Sequence, residues 1–266
     1  MKNYKTISID VENTHGAVLS ARLEMPADEK PKGFGIFSNC FTCEKEFFAP
    51  KRVSRALASR GLAMARFDFM GLGKSGGDFS DTNFTTNIED IQTIANKIKA
   101  DYGADIDLLI GHSFGGAASI GAAAYFPTLK ALATLGSPKD PRHVMRHFED
   151  NAQILERDGM VEITVAGRTY ILKKQFVEDV KSHDIEDETR NLNAALFVFH
   201  DPLDEMVAWQ NALDIYARGS GEKYLVEIKD SGHMLPNASD AEYMADILAG
   251  YVLKGEKPKG DNIMAA

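Results

Sequence analysis

Residues 106–116, Ile-Asp-Leu-Leu-Ile-Gly-His-Ser-Phe-Gly-Gly, constrain this chain more than any other stretch. Leu108 to Ile110 is a short apolar run with the character of a buried strand. It breaks into Gly111-His112-Ser113-Phe114-Gly115. A run of small residues comes next, Gly116 to Ala124, and suits a closely packed helix. Strand, G-x-S-x-G, helix is the context that a sharp strand-to-helix turn presenting a serine requires. Such a turn forces Ser113 into a strained backbone conformation. A side chain at Gly111 or Gly115 would then collide with the neighbouring strand and helix, and glycine removes that clash. The turn lifts the Ser113 hydroxyl above the sheet. The helix N-terminus behind it offers free N–H groups to a developing negative charge.

A serine alone is a weak nucleophile and needs a base and an orienting acid, which in this context come in the order Ser, Asp or Glu, His. Ala194 to Phe199 reads as an apolar strand, followed by His200-Asp201-Pro202-Leu203-Asp204-Glu205-Met206-Val207. Asp204 lies several residues past the strand, just before a helix-like stretch, Val207 to Arg218. Asp201 and Glu205 share its loop and stay open as alternatives. Lys223 to Ile228 reads as a further strand and ends in Lys229-Asp230-Ser231-Gly232-His233. His233 comes after a glycine in a turn-rich loop, which suits a base that must reach over the sheet edge. Asp230 comes too close before the histidine to be favoured as the acid. His200 is the rival base, but its strand-end position is more typical of a loop or core histidine. His112 is expected to point away from Ser113 and to bond locally. His15, His143, His147 and His183 lack a strand-end context and are expected to be mostly solvated.

With these residues in view, the chain resembles the α/β-hydrolases of the small esterase and serine-aminopeptidase type. Ser38-Asn39-Cys40-Phe41-Thr42-Cys43, Arg66 to Ser75, Gly111 to Gly116 and Asp201 to Glu205 resemble one bacterial branch in particular. In that branch a hydrolase domain is often fused to an osmotically-inducible, organic-hydroperoxide-resistance-type domain. The resemblance runs from about Lys5 to Leu253. It implies an oxyanion hole made of the Phe114 and Phe41 N–H groups. Two departures stand out. Only a short polar tail follows Leu253 in this sequence, and the usual His-Gly before the oxyanion position is Asn39-Cys40 here.

The rest of the chain fits one α/β domain over residues 1–253, with a polar tail at 254–266. Thr6 to Val11 and Ala17 to Glu24 read as an opening antiparallel pair. Gly33 to Ser38, Leu62 to Phe67 and Leu129 to Leu135 read as strands, and Phe47 to Arg60 and Asn87 to Tyr102 as helices. With the three strands already placed, the expectation is a mostly parallel eight-stranded sheet with helices on both faces. Residues 139–190 interrupt the alternation. Arg142 to Arg157 is charged and helix-like, Val161 to Val165 and Thr169 to Leu172 form a hairpin pattern, and Lys174 to Lys181 suits a helix. This insertion is read as a small cap over the active site.

Two other motifs compete. Gly71-Leu72-Gly73-Lys74-Ser75-Gly76 fits G-x-G-x-x-G, but no helix opens directly after it, as a dinucleotide site requires. The loop is expected to pack beneath the catalytic face. Cys40-Phe41-Thr42-Cys43 has the spacing of a redox pair and only half the ligands of a structural zinc site. The two cysteines are expected to pack as small apolar residues, with redox control of the site as the alternative.

A net charge of −9 argues against nucleic acid or an anionic membrane as partner. Met1 to Lys5 lacks the apolar stretch of a signal peptide. No apolar segment approaches the ~20 residues of a spanning helix. Two cysteines in 266 residues are no disulfide framework. A reducing cytoplasm is the expected home. Oligomeric state is left open. The expected activity is hydrolysis of small or medium acyl esters by Ser113, His233 and Asp204, with no metal or organic cofactor. A thioesterase or aminopeptidase-like hydrolase with the same three residues is the nearest alternative. A redox or binding protein using Cys40 and Cys43 is the more distant one.

Overall fold

The computed structural model describes residues 3–266. Its centre is a nine-stranded sheet. The strands are β1 (Tyr4–Glu12), β2 (Val18–Pro26), β3 (Gly33–Ser38), β4 (Leu62–Phe67), β5 (Leu108–His112), β6 (Ala131–Leu135), β9 (Ala195–His200), β10 (Lys223–Glu227) and β11 (Ile263–Ala265). Their spatial order is β1-β2-β4-β3-β5-β6-β9-β10-β11. The six strands from β4 to β10 in that order run parallel, and β1, β2 and β11 pair antiparallel at the edges. β3, β4, β5, β6 and β9 are buried along their whole length. Helices cover both faces, which is why these strands read as mostly apolar runs.

The helices are α1 (Phe48–Ala58), α2 (Phe84–Tyr102), α3 (Phe114–Ala122), α4 (Ala152–Asp158), α5 (Lys174–Ser182), α6 (Glu186–Arg190), α7 (Gln210–Arg218) and α8 (Ala238–Lys254). α2 starts three residues earlier than the sequence suggests. Asn83 accepts the Thr86 N–H at 2.9 Å while Thr86 accepts the Asn83 N–H at 2.9 Å, a reciprocal cap. α8 buries Ala241, Met244, Ala245, Leu248, Ala249 and Val252, a stripe at helical spacing. It docks beside α1, where Arg60 reaches Glu242 at 2.6 Å and Asp246 at 2.7 Å.

Two sequence expectations are corrected. The eight expected strands are joined by a ninth, because Ile263–Ala265 of the polar tail pairs with β10. Arg142–Arg157 is not one helix. It is two 3-10 stretches, Pro141–His147 and Glu149–Asn151, and then α4. The break falls at Phe148, which leaves helical geometry at φ −145°. Its ring is buried, 6.2 Å from that of Phe176. Burying that ring outweighs continuing a charged helix with little apolar face. The hairpin of the insertion is β7 (Met160–Val165) with β8 (Arg168–Lys173), a separate two-stranded sheet.

The segment between β3 and α1 is held from below by buried charge. Arg66 on β4 pairs with Glu24 at 2.8 Å and donates to the Lys45 carbonyl at 2.7 Å. Asp68 accepts the Lys45 N–H at 2.6 Å and also holds the Lys45 ammonium. The same carboxylate accepts the Lys74 N–H at 2.9 Å. A Cβ at Gly73 would lie against that carboxylate, and Gly73 has φ +55°. The G-x-G-x-x-G loop is thus spent on packing around Asp68. It leads into a 3-10 turn, Phe79–Asp81, rather than a helix N-terminus.

Candidate active site

Ser113 sits between β5 and α3 with φ 54° and ψ −124°. That geometry costs a non-glycine residue about 1–3 kcal/mol and persists only when its surroundings impose it. Here they do. The Ser113 N–H is tied to the Leu135 carbonyl at 2.9 Å, and its carbonyl accepts from Gly116 at 2.8 Å. A Cβ at Gly111 would come within 2.6 Å of the Gly115 carbonyl carbon, and one at Gly115 within 2.6 Å of the Ser38 carbonyl oxygen. Both glycines are therefore required for the end of β3, the turn and the helix to close together.

Asp204 and His233 come together from two different loops. His233 Nδ1 lies 2.8 Å from Asp204 Oδ2. The other oxygen, Oδ1, accepts the N–H groups of Met206 and Val207 at 2.8 and 3.0 Å. Burial pushes the Asp204 carboxyl up. The His233 hydrogen bond and charge and the two N–H donors outweigh it and hold it below the usual carboxylate range. The carboxylate thus stays ionised, takes the Nδ1 proton of His233 as its partner, and leaves Nε2 with the free lone pair. Ser113, Phe114, Phe41 and His233 all line one cavity of about 300 Å³.

The rival residues go elsewhere. Asp201 is buried but bonds backbone N–H groups of Leu203 and Gly232, at 3.0 and 2.6 Å. Glu205 and Asp230 are exposed. His200 is fully buried and bonds the Val207 carbonyl at 2.8 Å, with its Nε2 3.7 Å from Asp204. The expectation for His112 is corrected. Its ring faces that of His233, with centroids 4.9 Å apart, and its Nε2 bonds the His233 carbonyl at 2.7 Å. That is a contact across the fold rather than a local one.

The Phe114 N–H opens α3 and has no partner within the helix. The Phe41 N–H makes no hydrogen bond among the described residues. Phe41 is anchored through its ring, whose centroid lies 5.7 Å from those of Phe79, Phe114 and Phe176 and 5.9 Å from that of His147. The expectation of free cysteines is also corrected. Cys40 and Cys43 are buried as expected, but they are joined in a disulfide that brackets Phe41 and Thr42. Their sulfurs close the loop on the cavity wall, so bonding and burial go together.

The 139–190 insertion contributes His143, Val144, His147, Val165, Ala166 and Arg168 to the cavity. Sequence reasoning left His143 and His147 as solvated. Their i, i+4 spacing in the insertion is the one signal that they share a face. His143 is half-buried and accepts from Arg146 at 2.9 Å, and burial together with that cation pushes its pKa down to about 4. His147 is exposed but stacked on Phe41. His183 is half-buried and bonds Thr85 at 2.9 Å, while His15 stays exposed beside Glu89. Arg168 at the hairpin turn pairs with Glu44, tying the insertion to the cysteine loop. Among the described residues no cluster of three or more His, Cys, Asp or Glu suits a metal ion, and no helix is long and apolar enough to cross a membrane.

A family model described as serine aminopeptidase, S33, matches residues 49–157. The solved esterase domain of a Rhodothermus marinus protein is 33% identical, with 94% of this chain and 98% of that one aligned at a TM-score of 0.74. The chain belongs to the α/β-hydrolase family. More distant hydrolases share the fold. Est1E of Butyrivibrio proteoclasticus, solved with ferulic acid bound, is 22% identical over 93% of this hydrolase and 97% of its own chain, at a TM-score of 0.72. Mouse alpha/beta hydrolase domain-containing protein 10 is 18% identical over 94% and 100%, at 0.75. No curated protein sequence matches this hydrolase.

Proposed function

We propose that the protein is a serine carboxylesterase acting on small or medium acyl esters. The observation that carries this reading is the 2.8 Å contact of Asp204 with His233, which lines the same cavity as Ser113 in its strained turn. Ser113 Oγ attacks the ester carbonyl while His233 Nε2 takes its proton. Asp204 holds the Nδ1–H tautomer and stabilises the imidazolium. The N–H groups of Phe114 and Phe41 receive the oxyanion. His233 then protonates the leaving alcohol, and water, activated by the same base, releases the acid.

The cavity wall favours an acyl group over a free amine. It is mostly apolar and aromatic, no Asp or Glu is among its described lining residues, and the Arg168 that lines it is paired with Glu44. An aminopeptidase must hold a substrate ammonium, which an anion favours and a cation disfavours. The relative solved with ferulic acid adds a reason to test aryl acyl groups, since Phe41, Phe114 and His147 offer rings for stacking.

The test is a panel of p-nitrophenyl esters of rising chain length plus a hydroxycinnamoyl ester. It is run beside the corresponding thioesters and aminoacyl amides. Ser113→Ala should lower kcat by at least ~10³-fold with the fold intact, and Asp204→Asn by several orders of magnitude. An organophosphonate should label Ser113. Near-normal turnover by Ser113→Ala, or no labelling, overturns the reading.

A further inference from the structure

The loop that carries His233 turns sharply at three positions. Asp230, Gly232 and Leu235 all have positive φ, at 59°, 56° and 48°. Two of these, Asp230 and Leu235, are not glycine, so their side chains crowd the backbone there, Leu235 more than Asp230. A loop built this way keeps its shape only if it is held from outside. Two contacts hold it on either side of the histidine. The Gly232 N–H donates to Asp201 Oδ2 at 2.6 Å, and the His233 carbonyl accepts from His112 Nε2 at 2.7 Å.

Both holding groups are committed to this task. Asp201 has both carboxylate oxygens on backbone N–H groups, Leu203 in the acid loop and Gly232 in the base loop. Its own carbonyl accepts the Asp204 N–H at 3.0 Å. One residue therefore sets the acid loop and the base loop against each other. His112 ends β5, immediately before Ser113, so its bond measures the base from the nucleophile's own strand. It is 1% exposed, and its Nδ1 is buried without a partner. An orphaned polar atom of this kind calls for an explanation, and an apolar side chain would fill the same space without it. The Nε2–H donor is what an apolar replacement lacks. Burial, with the neighbouring His233 opposing a second positive charge, pushes the His112 pKa down to about 3. It donates as a neutral ring and adds no charge beside the base.

We propose that Asp201 and His112 are positioning residues that grip the main chain on both sides of His233. They fix its Nε2 over Ser113. The inference rests on His233 being the base of the reaction proposed above.

The experiment measures kcat, KM and the pH profile of kcat/KM for four variants, with active sites counted by organophosphonate titration. His112→Leu removes the donor and keeps the bulk, while His112→Gln keeps a donor. Asp201→Ala removes both acceptors, while Asp201→Asn keeps one. Displacing a reacting group by ~1 Å can cost about 10²-fold. His112→Leu and Asp201→Ala should therefore lose roughly 10- to 10²-fold in kcat per titrated site, with KM changed less than about threefold. The Gln and Asn variants should recover most of that loss, and all four should keep the single rising pH limb of the wild type. A purely structural role would lower the titrated fraction or Tm and leave kcat per site unchanged, and that result overturns the inference. So does a Gln variant as damaged as the Leu variant. Wild-type protein that takes no phosphonate at Ser113 refutes the esterase reading instead, whatever the variants do.

Discussion

Gly115→Ala is a sharp test of how the turn is built. The new Cβ would lie 2.6 Å from the Ser38 carbonyl oxygen and closer still to that of Asn39. Carbon–oxygen contacts of this kind rest at about 3.3 Å. The backbone at Ser38 must therefore retreat by about 0.7 Å, and at Asn39 by more. It cannot do so freely, because Phe37 and Ser38 are in register with Ile110 and Gly111 of β5. Overpacking of this type costs about 1–3 kcal/mol. For a chain of this length that is a Tm fall of about 2–10 °C. The larger effect is on rate. Asn39 leads directly into Cys40 and Phe41, so the shift moves one proposed oxyanion donor relative to the other. A displacement near 1 Å corresponds to about 10²-fold in kcat. The assay is ester turnover per phosphonate-titrated site, beside thermal unfolding. Gly121→Ala is the control, since its Cβ presses only on the flexible end of Ile88, at 2.8 Å, and meets Phe84 at an ordinary 3.6 Å. Turnover of Gly115→Ala within twofold of wild type would refute the argument that this close approach sets the oxyanion geometry.

The site sets two further expectations. kcat/KM, followed from pH 5 to 8, should rise with pH and no more steeply than one proton, because His233 must be neutral to accept the Ser113 proton. His112 and His143, held down at about 3 and about 4, are already neutral across that range. A flat profile, or a limb steeper than one proton, refutes this. The double Cys40→Ser, Cys43→Ser variant, and wild type under dithiothreitol, should keep ester turnover within a few-fold. The Phe41 ring contacts and the Lys45–Asp68 bonds hold the same loop without the disulfide. Loss of a full oxyanion donor, about 10²–10³ in kcat, in either case would show that the disulfide sets the donor's position.

What could be read from the sequence was what repeats or closes locally. β3 and β4 were legible to the residue, because strands buried on both faces are mostly apolar runs bounded by turns. The Ser113 turn was legible because its glycines are dictated by contacts within a few residues or with the adjacent strand. The insertion was less so. Its hairpin alternates cleanly, but Phe148 breaks the expected helix for a packing reason that lies on α5. β11 has only three residues, too few to show a period. The work of His112 and Asp201 was hidden for another reason. Their partners lie 121 and 31 residues away, and nothing in the spacing announces a bond to a distant main-chain group.

The ninth strand also changes what the molecule shows to its neighbours. Without Ile263–Ala265, β10 would present a row of unpaired amides beside the buried centre of the sheet, the kind of open rim on which a second chain can add a strand. The tail fills that rim with three residues whose outer side is short and exposed. The opposite rim, β1, is long, but it interleaves Lys5, Asp10 and Glu12 among its apolar positions. Self-association through the sheet is thus discouraged by charge at one end and by brevity at the other. Trimming the last few residues would put colloidal behaviour at risk well before it touched Ser113.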